Sequence, residues 1–213
     1  MIDAFVRSEI FFPQTFADVE KRDWGVFFVT PTIPDSHDGN HACVLSDRND
    51  LAPVIEEIVE FYRDRGLEPR VNHMSAQGDA RHLRQALGAA GFTFWEMDKM
   101  QVYVFRGPSR ITPSSNVHVR QVESVDGQML AVLTSMGGLR SGKVAERRAG
   151  HADSILFAGE LDGEVASVAL LEHPGEVGRV DDNPVAERIY VEAGFDKIEH
   201  TITGWGAWQA SNR

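Results

Sequence analysis

The chain has 213 residues, 42% hydrophobic and 25% charged, values of an ordinary globular protein that argue against a disordered or fibrous chain. Lysine and arginine total 21 against 32 aspartates and glutamates, a formal net charge of −11. That balance speaks against a phosphate-backbone binder, so no nucleic-acid partner is expected. No apolar run approaches the roughly 20 residues that span a bilayer, the N-terminus lacks the pattern of a signal peptide, and the single Cys43 excludes an internal disulfide. A cytoplasmic protein with no membrane partner is expected.

Trp24 to Thr30 is rich in Phe and Val and predicts a strand, and Ala42 to Ser46 predicts another. The Pro/Asp/Gly-rich stretch between them reads as a loop. Its His37 and His41, with Asp35 and Asp38, only loosely suggest a metal site, and no metal is expected. Leu51 to Arg65 predicts an amphipathic helix: Leu51, Val54, Ile55, Ile58, Val59 and Tyr62 recur at helical spacing, Asp50 can cap it and Gly66 can end it. A short strand at Pro69–His73, a helix over Asp79–Ala90 ended by Gly91, and two strands within Phe92–Phe105 complete the first half.

A Pro/Gly/Ser-rich linker at 107–116 separates that half, 1–106, from a second, 117–213. Val117 to Val122 alternates as a strand does, with Val117, Val119 and Gln121 on one face. A helix over Glu123–Met136 is stopped by Gly137-Gly138, and another is expected over Ser141–Gly150. Ile155–Glu160 and Val165–Glu172 form a hairpin about Asp162-Gly163, a strong turn signal. Asn183 to Ala193 is a helix with Asn183 as N-cap, Pro184 at its first position and Gly194 after its end. In the tail, Trp205 and Trp208 are expected to cover a sheet edge or an interface.

Leu83–Phe92 aligns without gaps on Ala186–Phe195, and both runs close on Ala-Gly-Phe before a strand, which suggests two related halves. Leu87 stands where Tyr190 stands, and Ala80 where Asn183 stands, so only the second copy keeps polar groups there. The second copy, with Asn183, Ala186, Tyr190, Gly194 and Phe195 in register, resembles the last helix of the GNAT superfamily of acyl-CoA N-acyltransferases. The hairpin 155–171 is similar to that family's second and third strands, and 117–122 with its following helix to the opening of the domain.

The resemblance implies an α/β fold of mostly antiparallel sheets flanked by helices, in two GNAT-like halves. It implies acyl transfer from acetyl-CoA or another acyl-CoA to a small-molecule or peptide amine. Tyr190 would be the acid that protonates the departing thiolate, and Asn183 and Ala186, with Tyr190, would contact the CoA arm. Glu164 and Glu172, near the ends of the second hairpin strand, are the candidate general bases.

The departure from the family lies just before Asn183. There a strand, a glycine-rich loop and a helix whose N-terminus binds the CoA pyrophosphate are expected. Here Glu176-Val-Gly-Arg-Val-Asp-Asp182 runs straight into Asn183. Gly137-Gly-Leu-Arg-Ser-Gly-Lys143 nearly spells a P-loop, but Val144 replaces the hydroxyl residue and the run follows a helix. Weak acetyl-CoA binding follows, as does an uncovered sheet surface that favours a homodimer. A non-catalytic binding or dimerisation module is the alternative.

Overall fold

The computed structural model describes residues 2–46, 48–74, 80–97, 100–105, 107–110, 112, 116–172, 179–180 and 191–210. The fold is mixed α/β, with mostly antiparallel sheets flanked by helices, as expected. It comprises two compact units: 1–100 with 202–213, and 101–201.

The first unit opens with α1 (Ile2–Phe11), a 3-10 turn (Phe12–Thr15) and β1 (Asp18–Lys21), none of which the local pattern announces. There follow β2 (Gly25–Val29), β3 (His41–Val44), α2 (Ala52–Arg63), β4 (Arg70–Met74), α3 (Arg81–Ala89) and β5 (Thr93–Glu96). Asp50 accepts the Ala52 amide at 3.3 Å at the start of α2. At its end Gly66 takes φ +68°, and the Leu67 amide reaches back to the Tyr62 carbonyl at 2.9 Å. Gly91 ends α3 the same way, with φ +83° and Phe92 donating to Leu87.

The sheet of this unit runs β1-β2-β3-β4-β12-β5, where β12 is Gly204–Trp208. Strand alternation divides its residues cleanly. One face carries Phe27, Ala42, Val44, Val71, Trp205, Ala207 and Phe94, which pack with Val54, Ile58, Tyr62, Leu83 and Leu87 of α2 and α3. Phe27 stacks on Phe61 with ring centroids 3.8 Å apart. The other face is also buried at Val26, Phe28, His41 and Cys43.

β12 corrects two expectations. The second half was expected to hold the whole of 117–213, yet this C-terminal strand pairs antiparallel with both β4 and β5 of the first unit. Trp205 and Trp208 therefore do not cover an edge; they belong to an interior strand, with Trp205 only 8% exposed. The physical reason is saturation of the backbone: without β12, β4 and β5 would each present an unpaired edge. Gln209 secures the return. It accepts from Arg63 at 2.6 Å, and it donates to the Ala90 carbonyl at 2.6 Å and, by its amide, to Pro69 at 3.1 Å.

The second unit contains β6 (Met100–Phe105), β7 (Val117–Val122), α4 (Gly127–Arg148), β8 (Ser154–Leu161), β9 (Glu164–Glu172), β10 (Arg179–Val180) and β11 (Phe195–Ile202). The four strands β10-β9-β8-β7 form one antiparallel sheet, and β11 pairs with β6 in another. The β8–β9 turn places Asp162 at φ 54° and Gly163 at φ 87°, as a two-residue hairpin requires. The helix starts at Gly127, later than Glu123, because the Asp126 carboxylate caps it by accepting the Met129 amide at 2.9 Å. α4 is two helical segments joined at Gly138 (φ 72°), where the glycine pair predicted a stop. Met129, Leu156 and Ala158 form a small core with Val122, Val165, Val168 and Leu170 around it.

Candidate functional site

The hairpin β8–β9 and the start of α4 position the described part of the candidate site. Glu164 opens β9 beside the turn, exposed, and its carboxylate accepts from Gln128 of α4 at 3.0 Å. The Gln128 carbonyl oxygen in turn accepts the Val165 amide at 3.3 Å, so one glutamine ties the hairpin to the helix. Asp126 beside it is held below the ordinary carboxylate range, first by the Met129 amide and then by Arg120. Arg120 donates to Glu160 at 2.6 Å and Asp126 at 3.4 Å, and these partners raise its own pKa.

Glu172 closes the same strand, its Cα opposite Ser154 on β8 and Arg179 on β10. Eight residues of strand put the two glutamates about 25 Å apart at about 3.3 Å per residue, so they do not form a carboxylate pair. Asn183, Ala186 and Tyr190 lie outside the described residues. The description resumes with helical residues 191–193, followed by Gly194 at φ +100° and β11. The left-handed glycine after the helix was read from sequence; the tie of Glu164 to Gln128 was not, since the residues lie 36 positions apart and share no motif.

The other chemical groups weighed from sequence have structural places. Cys43 is buried in β3, and desolvation pushes its thiol up to about 12, which keeps it protonated and inert. His41 is buried, its Nδ1 3.2 Å from the His37 carbonyl, and burial drives its pKa down to about 4 despite the nearby Asp38. Among the described residues no three His, Cys, Asp or Glu side chains gather as a metal site, and no helix is long and apolar enough to cross a membrane.

No protein-family model matches the sequence, and no curated protein matches it. Solved structures do. The chain is similar to a GCN5-related N-acetyltransferase from Kribbella flavida, with a TM-score of 0.62 and 11% identity over 98% of this chain and 95% of that one. It is also similar to a conserved protein of unknown function from Staphylococcus epidermidis, with a TM-score of 0.58 and 10% identity over 91% and 94% of the two chains. At such identities the likeness defines the fold: it is GNAT-like.

Proposed function

We propose that the chain is a GNAT-type N-acyltransferase that moves an acetyl or other acyl group from an acyl-CoA to an amine. The observation that carries this reading is the fold likeness to a GCN5-related N-acetyltransferase over nearly the whole of both chains. The run Asn183-Pro-Val-Ala-Glu-Arg-Ile-Tyr190 adds to it. The amine nitrogen attacks the thioester carbonyl carbon, the C–S bond breaks, and the sulfur leaves as a thiolate that takes the Tyr190 phenol proton. A phenol near 10 is protonated at neutral pH and so able to donate. Glu172 is the preferred base for the proton lost by the amine, because the Glu164 carboxylate is engaged by Gln128. Asn183 and Ala186 contact the CoA arm.

Only Asp181 and Asp182 stand between β10 and Asn183. So short a run in the sequence matches no glycine-rich loop and helix before Asn183, which supports weak binding of acetyl-CoA in this reading. Each charge-assisted hydrogen bond not made to the pyrophosphate forgoes about 1.5–3 kcal/mol. The same short run favours a second reading, a non-catalytic GNAT-like module. Release of free CoA thiol from acetyl-CoA in the presence of primary amines separates the two. Turnover that Tyr190→Phe lowers by about 100- to 10,000-fold, with little change in CoA affinity, supports the transferase. No thiol release and no calorimetric binding at millimolar acetyl-CoA supports the module.

A further inference from the structure

The chain leaves the first unit after residue 100 and returns to it at 202. The strands on either side of that excursion, β5 and β12, lie side by side in the sheet of the first unit. They run antiparallel with Glu96 opposite Trp205, and the Met97 amide donates to the Gly204 carbonyl at 2.9 Å. In chain order, the second unit is thus the loop of a two-stranded hairpin. Within that unit the first and last strands, β6 and β11, pair with each other as well. The ends of 101–201 are therefore held twice, once by each unit.

We infer that the β5–β12 pair is a clasp that couples the stability of the two units. Bringing together the ends of a flexible segment of about a hundred residues costs entropy that grows with the logarithm of its length. While the second unit is folded, the β6–β11 pair has already confined those ends, and β5 meets β12 across short connections. When it is unfolded, the same pairing must close the whole segment. The coupling is reciprocal: a closed clasp removes freedom from the unfolded second unit and so favours its folded state by the same factor. That factor scales as the 3/2 power of the ratio of segment lengths, about 10- to 100-fold between a hundred residues and a connection of several. The first unit grips its side firmly. β12 pairs with β4 as well as β5, Ala207 is fully buried, and Gln209 fastens the strand's end to Arg63 and Ala90.

Amide exchange of residues 156–158, in β8 of the second unit, tests this, because they pair only with β7 and β9. Ala207→Pro removes a ladder donor from the interior of β12 and opens the clasp. A red shift of tryptophan emission checks the opening, since Trp24, Trp95, Trp205 and Trp208 all belong to the first unit. Exchange at 156–158 is then expected to be about 10- to 100-fold faster than in wild type. A second variant, Cys43→Ala/Glu96→Cys/Trp205→Cys/Ala207→Pro, closes the ends covalently, because its two new cysteines replace directly opposed residues. Its disulfide form is expected to regain slow exchange at 156–158, while its reduced form stays fast. Should Ala207→Pro unfold the whole chain, or leave the emission unshifted, the disulfide and reduced forms of the second variant are the closed and open states compared. Exchange in the opened Ala207→Pro chain as slow as in wild type overturns the proposal. So does a disulfide form that exchanges as fast as the reduced one.

Discussion

The two units solve the problem of covering a sheet differently. In the first, both faces of the sheet are buried at the central strands β2 and β3, and aromatic rings from β2, β5, β12 and α2 pack in pairs. In the second, the buried Met129, Leu156 and Ala158 centre a small core under α4 among the described residues, and Val117 and Val119 of β7 are exposed. Among the described residues, the larger buried core lies in the first unit, away from the β8–β9 hairpin. The unit that bears the β8–β9 hairpin shows, among the described residues, the smaller buried cluster, and that part of it is expected to open more readily.

The sharpest way to break that comparison is to cut one residue from each unit. Trp205→Ala removes an interior ring packed against His73 and Phe94 and is expected to cost about 3–5 kcal/mol by urea denaturation. Val119→Ala, measured the same way in dilute solution, should stay within about 0.5 kcal/mol. Equal costs would show that the second unit is as tightly packed as the first.

Acid should strike the first unit next. His41 folds as the neutral ring with its pKa lowered from 6.5 to about 4, between Asp38 and Arg70. The unfolded chain thus binds a proton that the folded chain refuses between these values. Stability is fully present above about pH 6.5 and declines as pH falls toward 4, by about 3 kcal/mol from this group. Thermal melts of wild type and His41→Gln over pH 4.5–7.5 should show a flatter slope for the variant; parallel slopes would remove His41 as the cause.

Gly206 ranks third. It sits directly beneath the Trp95 indole, and a Cβ there would collide with the ring. Gly206→Ala is expected to cost about 1–3 kcal/mol, the range of overpacked cores, and to shift Trp95 fluorescence. In the second unit Gly163→Ala meets open space and only the strain of φ 87°, so about 1 kcal/mol is expected from equilibrium melts. The smallest effect concerns reactivity. Cys43 should resist a thiol reagent until the first unit unfolds, and prompt labelling of native protein would contradict its burial.

What the amino-acid sequence made legible were features encoded locally. The α2 stripe, the left-handed glycines 66, 91 and 163, and the Asp162-Gly163 hairpin all follow from neighbours a few residues apart. The destination of β12 was not legible, because its partners Arg70–Met74 lie more than a hundred residues away. Trp205 and Trp208 in a short apolar tail look alike whether they cap an edge or fill a gap. β1 stayed hidden behind its charges: Asp18, Glu20 and Lys21 suit an exposed edge strand and break any apolar alternation. At the candidate site, the sequence named Glu164 and Glu172 as equals, and only the strand between them separates the one engaged by Gln128 from the one at the far end.

The placement of β12 also has a consequence in time. About a hundred residues are synthesised between β5 and the strand that must slide between it and β4. At about 5–20 residues per second, the nascent first unit waits roughly 5–20 s with a slot open in its sheet. The second unit, whose strands are contiguous in the chain, is encoded later but has all its strands before the first unit is complete. A premature stop before Gly204 would therefore do its harm far upstream, in a sheet whose other five strands had been made in full.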